Sequence, residues 1–279
     1  MRKKTVFLLS LVAVGMFLLS YIANIYGKSA EEYYIEGVKY YDRDKFGDAA
    51  SEFNKAIKVD PKYAPAYYKL GCIHIVINQY LKAIEYFEKA ITLNPEFAAS
   101  YYSMGEAYYL LGKEEEAVRY WNKAISVDEK FFSPYNALGD FYMSKAKIDE
   151  AINYYQKALN INPGDYHANY SMGLAYLKLN QLEQALEYFK RTARINPKYA
   201  ETYYKIGIVY SMMGDDAQAA SYYERAIKED AHFADAYYAA GMIYNKLGKT
   251  KDAEEYISKA KELYKTGTKP NKSKRPKMP

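Results

Sequence analysis

Apolar residues along positions 30–267 recur with a period of 34, and each copy carries two stretches in which they fall three and four residues apart. That spacing predicts two amphipathic helices per copy with a turn between them. The frames are 30–63, 64–97, 98–131, 132–165, 166–199, 200–233 and 234–267, without an insertion or deletion. Numbering the places of a copy from 1 to 34, place 8 is always glycine, from Gly37 through Gly139 to Gly241, and place 20 is always alanine, from Ala49 to Ala253. A glycine inside a helix costs about 1 kcal/mol relative to alanine. Glycines at one phase in every copy therefore predict that the two helices of a copy approach closely. Place 27 is alanine except at Thr192, and large rings fill the gaps, such as Tyr108 and Tyr142 at place 11 and Phe53, Trp121 and Tyr155 at place 24.

The turns agree with this pattern. Place 15 holds Asp44, Asn78, Gly112, Ala146, Asn180, Gly214 and Gly248, and six of these tolerate the left-handed conformation that ends a helix. Place 31 is Asp or Asn at the six internal junctions, followed by Pro61, Pro95, Pro163 and Pro197 at four of them and by Glu129 and Ala231 at the others. Proline stops one helix and opens the next turn.

Leu-Gly pairs, tyrosines, alanines, ring residues and prolines at these spacings resemble the tetratricopeptide repeat (TPR) family, over roughly residues 30–264. The departures are Thr192, the two junctions without proline, and a seventh copy with Ile257 and Lys265 at consensus places. The resemblance implies an all-α fold, a right-handed superhelical solenoid of seven antiparallel helix pairs with a concave groove. In the family that groove is lined by places 2, 5, 9 and 12 of the first helix. Carried onto this chain, place 5 is Tyr34, Tyr68, Tyr102, Asn136, Tyr170, Tyr204 and Tyr238. Places 9 and 12 add Tyr41, Cys72, Ile75 and Tyr109 in the first copies, then Leu174, Ile208 and Met242, with the acids Glu106 and Asp140 midway. A ladder of tyrosines offers flat apolar area and a hydroxyl to a bound segment, although tyrosine at place 5 serves packing equally well. A partner peptide or helix with apolar anchors and a central basic residue suits this surface. The carboxylate clamp known in the family needs Lys and Asn at places 5 and 9 of one copy, and no copy supplies that pair.

The ends of the chain differ from the repeats. Arg2, Lys3 and Lys4 precede Thr5–Gly27, a stretch without charge, and a length in the range of about 17–25 residues predicts a membrane-spanning signal-anchor over residues 1–27. The cationic start orients the N-terminus to the cytoplasm and places the TPR domain outside the cytoplasmic membrane, periplasmic or on the cell surface. Ile25 and Gly27 leave open a cleaved signal peptide and a secreted or periplasmic product. Ser29 and Glu32 have capping-box spacing. Residues 265–279, KTGTKPNKSKRPKMP, carry six positive charges and no acid, so a disordered basic tail is expected, attracted to anionic surfaces or serving solubility. Ile257, Leu263 and Tyr264 leave the last helix with an apolar outer face through which copies could self-associate.

Tyrosine reaches 35 residues against one tryptophan, and a single cysteine excludes an internal disulfide framework. The net charge of +5 conceals a mildly acidic repeat body, −4 over residues 28–264. That sign argues against nucleic acid as a partner of the repeats. No catalytic or cofactor pattern is present. His74, His167 and His232 occupy different places in their copies, Cys72 and His74 fall on different faces of one helix, and Gly248-Lys249-Thr250 lacks the glycine a phosphate loop needs at Ile243. The expected function is a non-enzymatic scaffold that binds other proteins in its groove and helps assemble a membrane or envelope complex. A soluble chaperone-like binder and an accessory subunit of an enzyme complex are the alternatives.

Overall fold

The computed structural model describes residues 27–267. Fourteen α-helices in seven pairs give an all-α solenoid architecture, with no strand among the described residues. The chain divides after Asp128 into two compact units. The first contains α1 (Ala30–Asp42), α2 (Phe46–Val59), α3 (Ala64–Val76), α4 (Tyr80–Leu93), α5 (Ala98–Leu110) and α6 (Glu114–Val127). The second contains α7 (Ser133–Ser144), α8 (Ile148–Ile161), α9 (Tyr166–Lys178), α10 (Leu182–Ile195), α11 (Ala200–Met212), α12 (Asp216–Glu229), α13 (Ala234–Lys246) and α14 (Thr250–Thr266). The division falls at one of the two junctions that lack proline, where Phe132 precedes α7 with helical dihedrals (φ −70, ψ −26).

The glycine ladder owes its constancy to rings. A Cβ built on Gly139 would stand 2.4 Å from the Tyr155 ring, and one on Gly71 2.4 Å from Phe87. The place-24 side chain of the second helix, a ring in six copies and Ile257 in the seventh, thus lies directly on the backbone of the first, a closer fit than the glycine–alanine approach expected from sequence. Alanines at places 20 and 27 sit behind it, Ala151 and Ala158 both fully buried. Thr192, the one departure at place 27, is also buried, and its hydroxyl donates to the Tyr188 carbonyl at 3.0 Å. A second ring pair recurs on each copy from the second onward. The place-11 side chain stacks on the place-23 tyrosine, with Tyr108 on Tyr120 at 5.2 Å and 4° and Tyr142 on Tyr154 at 5.3 Å and 6°.

Each place-15 residue adopts positive φ, including Ala146 at 57°. In each copy the place-16 N–H donates back to the place-11 carbonyl, as Lys147 does to Tyr142 at 3.0 Å. This is the Schellman closure of a helix C-terminus. The place-31 carboxylate or amide turns the chain between copies by accepting from the N–H two residues on, as at Asp60, Asn94, Asn162 and Asp230. Ser29 and Glu32 form the capping box of α1, with Glu32 N–H donating to Ser29 Oγ at 3.1 Å and Ser29 N–H to Glu32 Oε2 at 2.7 Å. The Glu32 carboxyl is held below its usual range chiefly by the Ser29 backbone bond.

The apolar stretch 5–26 lies outside the described residues, and none of the described helices is long and apolar enough to cross a membrane. At the other end α14 continues through Lys265 and Thr266 to a left-handed cap at Gly267 (φ 62), so the first residues of the basic segment are helical.

Candidate protein-binding face

The first helix of each pair presents places 5, 9 and 12, and the two units treat them differently. In the first unit Tyr34 is half-buried between Phe53 (5.6 Å) and Tyr63 (5.5 Å), and burial pushes its hydroxyl up to about 12. Tyr68 is 3% exposed, between Phe87 (5.9 Å) and Phe97 (4.9 Å). Tyr41, Cys72 and Ile75 are also buried, with Tyr41 edge-on to Phe46 at 5.5 Å. These four residues were expected on an open groove wall, and the structure places them inside the packing. For Tyr68 the cause is the aromatic residue at place 34, Phe97, which closes over the place-5 ring from the turn into the next copy. Burial raises the Cys72 thiol to about 11. Tyr102 and Glu106 are half-buried, and Tyr109 is exposed, tilted on Trp121 at 5.6 Å.

The second unit repeats the same enclosure at two copies. Tyr170 sits between Phe189 (5.6 Å) and Tyr199 (5.5 Å), and Tyr204 between Tyr223 (5.7 Å) and Phe233 (5.0 Å). The fourth copy exchanges both partners for polar groups. Place 5 is Asn136 and place 34 is Asp165, and the Asn136 amide donates to Asp165 Oδ2 at 2.5 Å. Asn136 is therefore buried, a further departure from the expected open wall. Asp165 also accepts the Ala168 N–H and caps α9. In the last copy place 34 is Gly267, no ring among the described residues closes over place 5, and Tyr238 and Met242 are both 47% exposed.

The loss of rings in the fourth copy coincides with open space. A cavity of about 260 Å³ lies between α7 and α9, lined by Asp140, Met143, Ser144, Tyr155, Leu174 and Lys178 among others. Asp140 accepts the Tyr155 hydroxyl at 2.7 Å and faces His167 Nε2 at 2.9 Å. Asp140 stays exposed while Leu174 is half-buried and Ile208, one copy further, is half-buried as well. The cavity offers an apolar wall at Leu174 and Met143 and, opposite it, the Asp140 carboxylate. Met143 at place 12 and Ser144 and Lys178 at place 13 belong to it and were not among the residues expected. Place 13 was the signal, one residue beyond the places considered. Among the described residues no group of three or more His, Cys, Asp or Glu side chains is placed to hold a metal ion.

Tetratricopeptide repeat profiles match residues 64–97 and 98–131, 142–206, and 204–267, and a TPR repeat profile matches residues 37–74. The first two matches coincide with the second and third frames of the sequence. Among solved structures, MamA is 27% identical, with a TM-score of 0.56 over 59% of this chain and 96% of its own. PilW, described as a widely conserved type IV pilus biogenesis factor, is 21% identical with a TM-score of 0.61 over 74% of this chain and 98% of its own. YrrB, described as a TPR protein with an unusual peptide-binding site, is 24% identical with a TM-score of 0.52 over 67% and 96%. At those identities PilW and YrrB are similar in fold alone. A search of the curated proteins found no match.

Proposed function

Since the chain belongs to the tetratricopeptide repeat family, we propose that it is a protein-interaction scaffold that holds a peptide or helical segment of a partner against the first helices of its second unit. The observation that carries this reading is the cavity between α7 and α9. It combines an apolar wall at Leu174 and Met143 with the exposed carboxylate of Asp140, the pairing a short segment needs for one anchor and one oriented polar contact. In the last copy of the same unit Tyr238 and Met242 are exposed as well. The residues enclosed by place-34 rings give the face rigidity rather than contact area, which lowers the ordering cost of binding.

The uncharged stretch 5–27 behind three cations supports a membrane anchor for this scaffold, with the repeats outside the cytoplasmic membrane and a role in assembling an envelope complex. N-terminal sequencing of the mature protein separates this from release: a chain beginning at Met1 supports the anchor, and one beginning at Lys28 contradicts it. The binding reading is tested by affinity capture with the full chain and with Leu174→Glu. The anchor pocket predicts loss of specific partners by the variant at unchanged helicity, and identical partner sets would contradict it.

A further inference from the structure

The last helix lacks the apolar outer face expected of it. Leu263 is buried, Ile257 packs on the backbone at Gly241, and the exposed Tyr264 donates its hydroxyl to Asp235. What α14 turns outward instead is charge, at the places through which earlier copies touch their successors.

The junctions inside the second unit identify those places. Leu159 at place 28 shares a core with Ala168 and Met172, places 3 and 7 of the following copy. Ala220 at place 21 shares one with Ala240 and Ile243, places 7 and 10 of the following copy. Asp216 at place 17 pairs with Lys246 at place 13 of the following copy at 2.7 Å, in keeping with an antiparallel register. Places 21 and 28 are apolar in each of the first six copies, from Ala50 and Ile57 to Ala220 and Ile227. Places 7 and 10 are apolar in each of the last six, from Leu70 and Ile73 to Ala240 and Ile243. Place 3 in those six is small and buried, as at Ala66 and Ala236.

Only the helices without a neighbour of this kind depart. On α14 place 21 is Glu254 and place 28 is Lys261, both exposed. On α1 places 3, 7 and 10 are Glu32, Glu36 and Lys39. Glu32 caps its own helix, and Glu36 pairs with Lys39 at 3.2 Å. In the register of the internal junctions Lys261 falls beside Glu32 and Glu36, and Glu254 beside Lys39, so the order Lys261, Glu36, Lys39, Glu254 alternates in sign. Asp42 and Arg43 at places 13 and 14 fall beside Thr250 and Lys251, a set of mixed sign. Solubility of a terminal face asks for charge and is indifferent to its sign. A pair of faces built to repel each other would carry like signs.

We propose that α1 of a second copy of this chain docks on α14 as the first helix of an eighth pair, with Lys261 set against Glu32 and Glu36 and Glu254 against Lys39. Each copy offers one face of each kind, so the contact is heterologous and copies associate head to tail. Such ion pairs contribute little each and are screened by salt. The association is therefore reversible and strongest at low ionic strength.

Sedimentation of the full chain over a range of concentrations, in about 0.05 M and about 0.5 M salt, tests this. The average mass should rise with concentration and fall as salt rises. Glu254→Lys with Lys261→Glu should weaken association at least about tenfold, and Glu36→Lys with Lys39→Glu, which keeps the pair within α1, should do the same. Each double change leaves the net charge as it was, and circular dichroism should show unchanged helicity. A chain carrying all four changes should recover association to within about threefold of the unaltered chain. A monomer at every concentration, or no recovery in the fourfold variant, would overturn the proposal. Association indifferent to either double change would overturn it too, since contacts elsewhere, such as the uncharged stretch 5–27, would then carry it.

Discussion

Gly139 and Gly47 show how differently one residue type behaves in this chain. A Cβ at Gly139 meets the Tyr155 ring at 2.4–2.9 Å, while one at Gly47 meets nothing within 4 Å. Gly139→Val should therefore overpack the pair and cost roughly 1–3 kcal/mol, whereas Gly47→Ala should be neutral or stabilising by up to about 1 kcal/mol. Urea midpoints measured at constant m-value check both. Ala146 is held at φ 57°, where a side chain is strained, so Ala146→Gly should raise the midpoint, by about 1 kcal/mol less the entropy of a freer unfolded chain. Cys72 supplies a pH dependence. Its thiol is raised by burial from the ordinary 9.0 to about 11, so the folded state keeps the proton that the unfolded state releases. The associated stability is fully present below pH 9 and is lost as pH rises through 11. Thiol titration should find Cys72 inert at pH 8 in the folded protein and reactive in urea. A fast native reaction would contradict its burial.

At the scale of elements, the place-5 ring, the place-24 ring and the place-34 ring form one unit that ties a helix pair to the turn beyond it. The fourth copy keeps the tie with a hydrogen bond, Asn136 to Asp165, in place of ring contacts. Asn136→Leu leaves the Asp165 carboxylate without that donor and should cost about 1–3 kcal/mol. A double-mutant cycle with Asp165→Asn should show coupling above about 0.5 kcal/mol, and strict additivity would contradict the tie. The sequence made the helix pairs, the glycine and alanine positions and the turns legible because each is a local rule repeated at one phase. Ala146 shows the limit of the turn rule, since alanine follows the backbone its neighbours impose. The fate of the place-5 tyrosines was not legible from place 5 alone. Whether such a ring is open depends on place 34, nearly a full copy later, which covers Tyr68 through Phe97 and leaves Tyr238 open beside Gly267. The paired exchange at Asn136 and Asp165 was on the page in the sequence, but its meaning required knowing that the two places touch. The same holds for the cavity, where Asp140 and Leu174 were read from the family's groove places and Met143, Ser144 and Lys178 were not.

For the molecule as a whole, repeats that touch mainly their neighbours make stability close to a nearest-neighbour sum within each unit. Hydrogen exchange on Gly139→Val should lose protection in α7, α8 and α9 and keep it in α13 and α14. Uniform loss throughout the second unit would contradict that form of cooperativity. The acidic repeat body between two basic ends has a functional counterpart, because the exposed carboxylate of Asp140 belongs to the body while the net positive charge lies outside it. The binding claim is tested most directly by site-specific photo-crosslinking in the full chain, with the reactive side chain placed at Leu174 in the cavity and, as a control, at the exposed Gln156 on α8. The account predicts discrete partner adducts from Leu174 that Gln156 does not give. Equal adducts from both positions would contradict it.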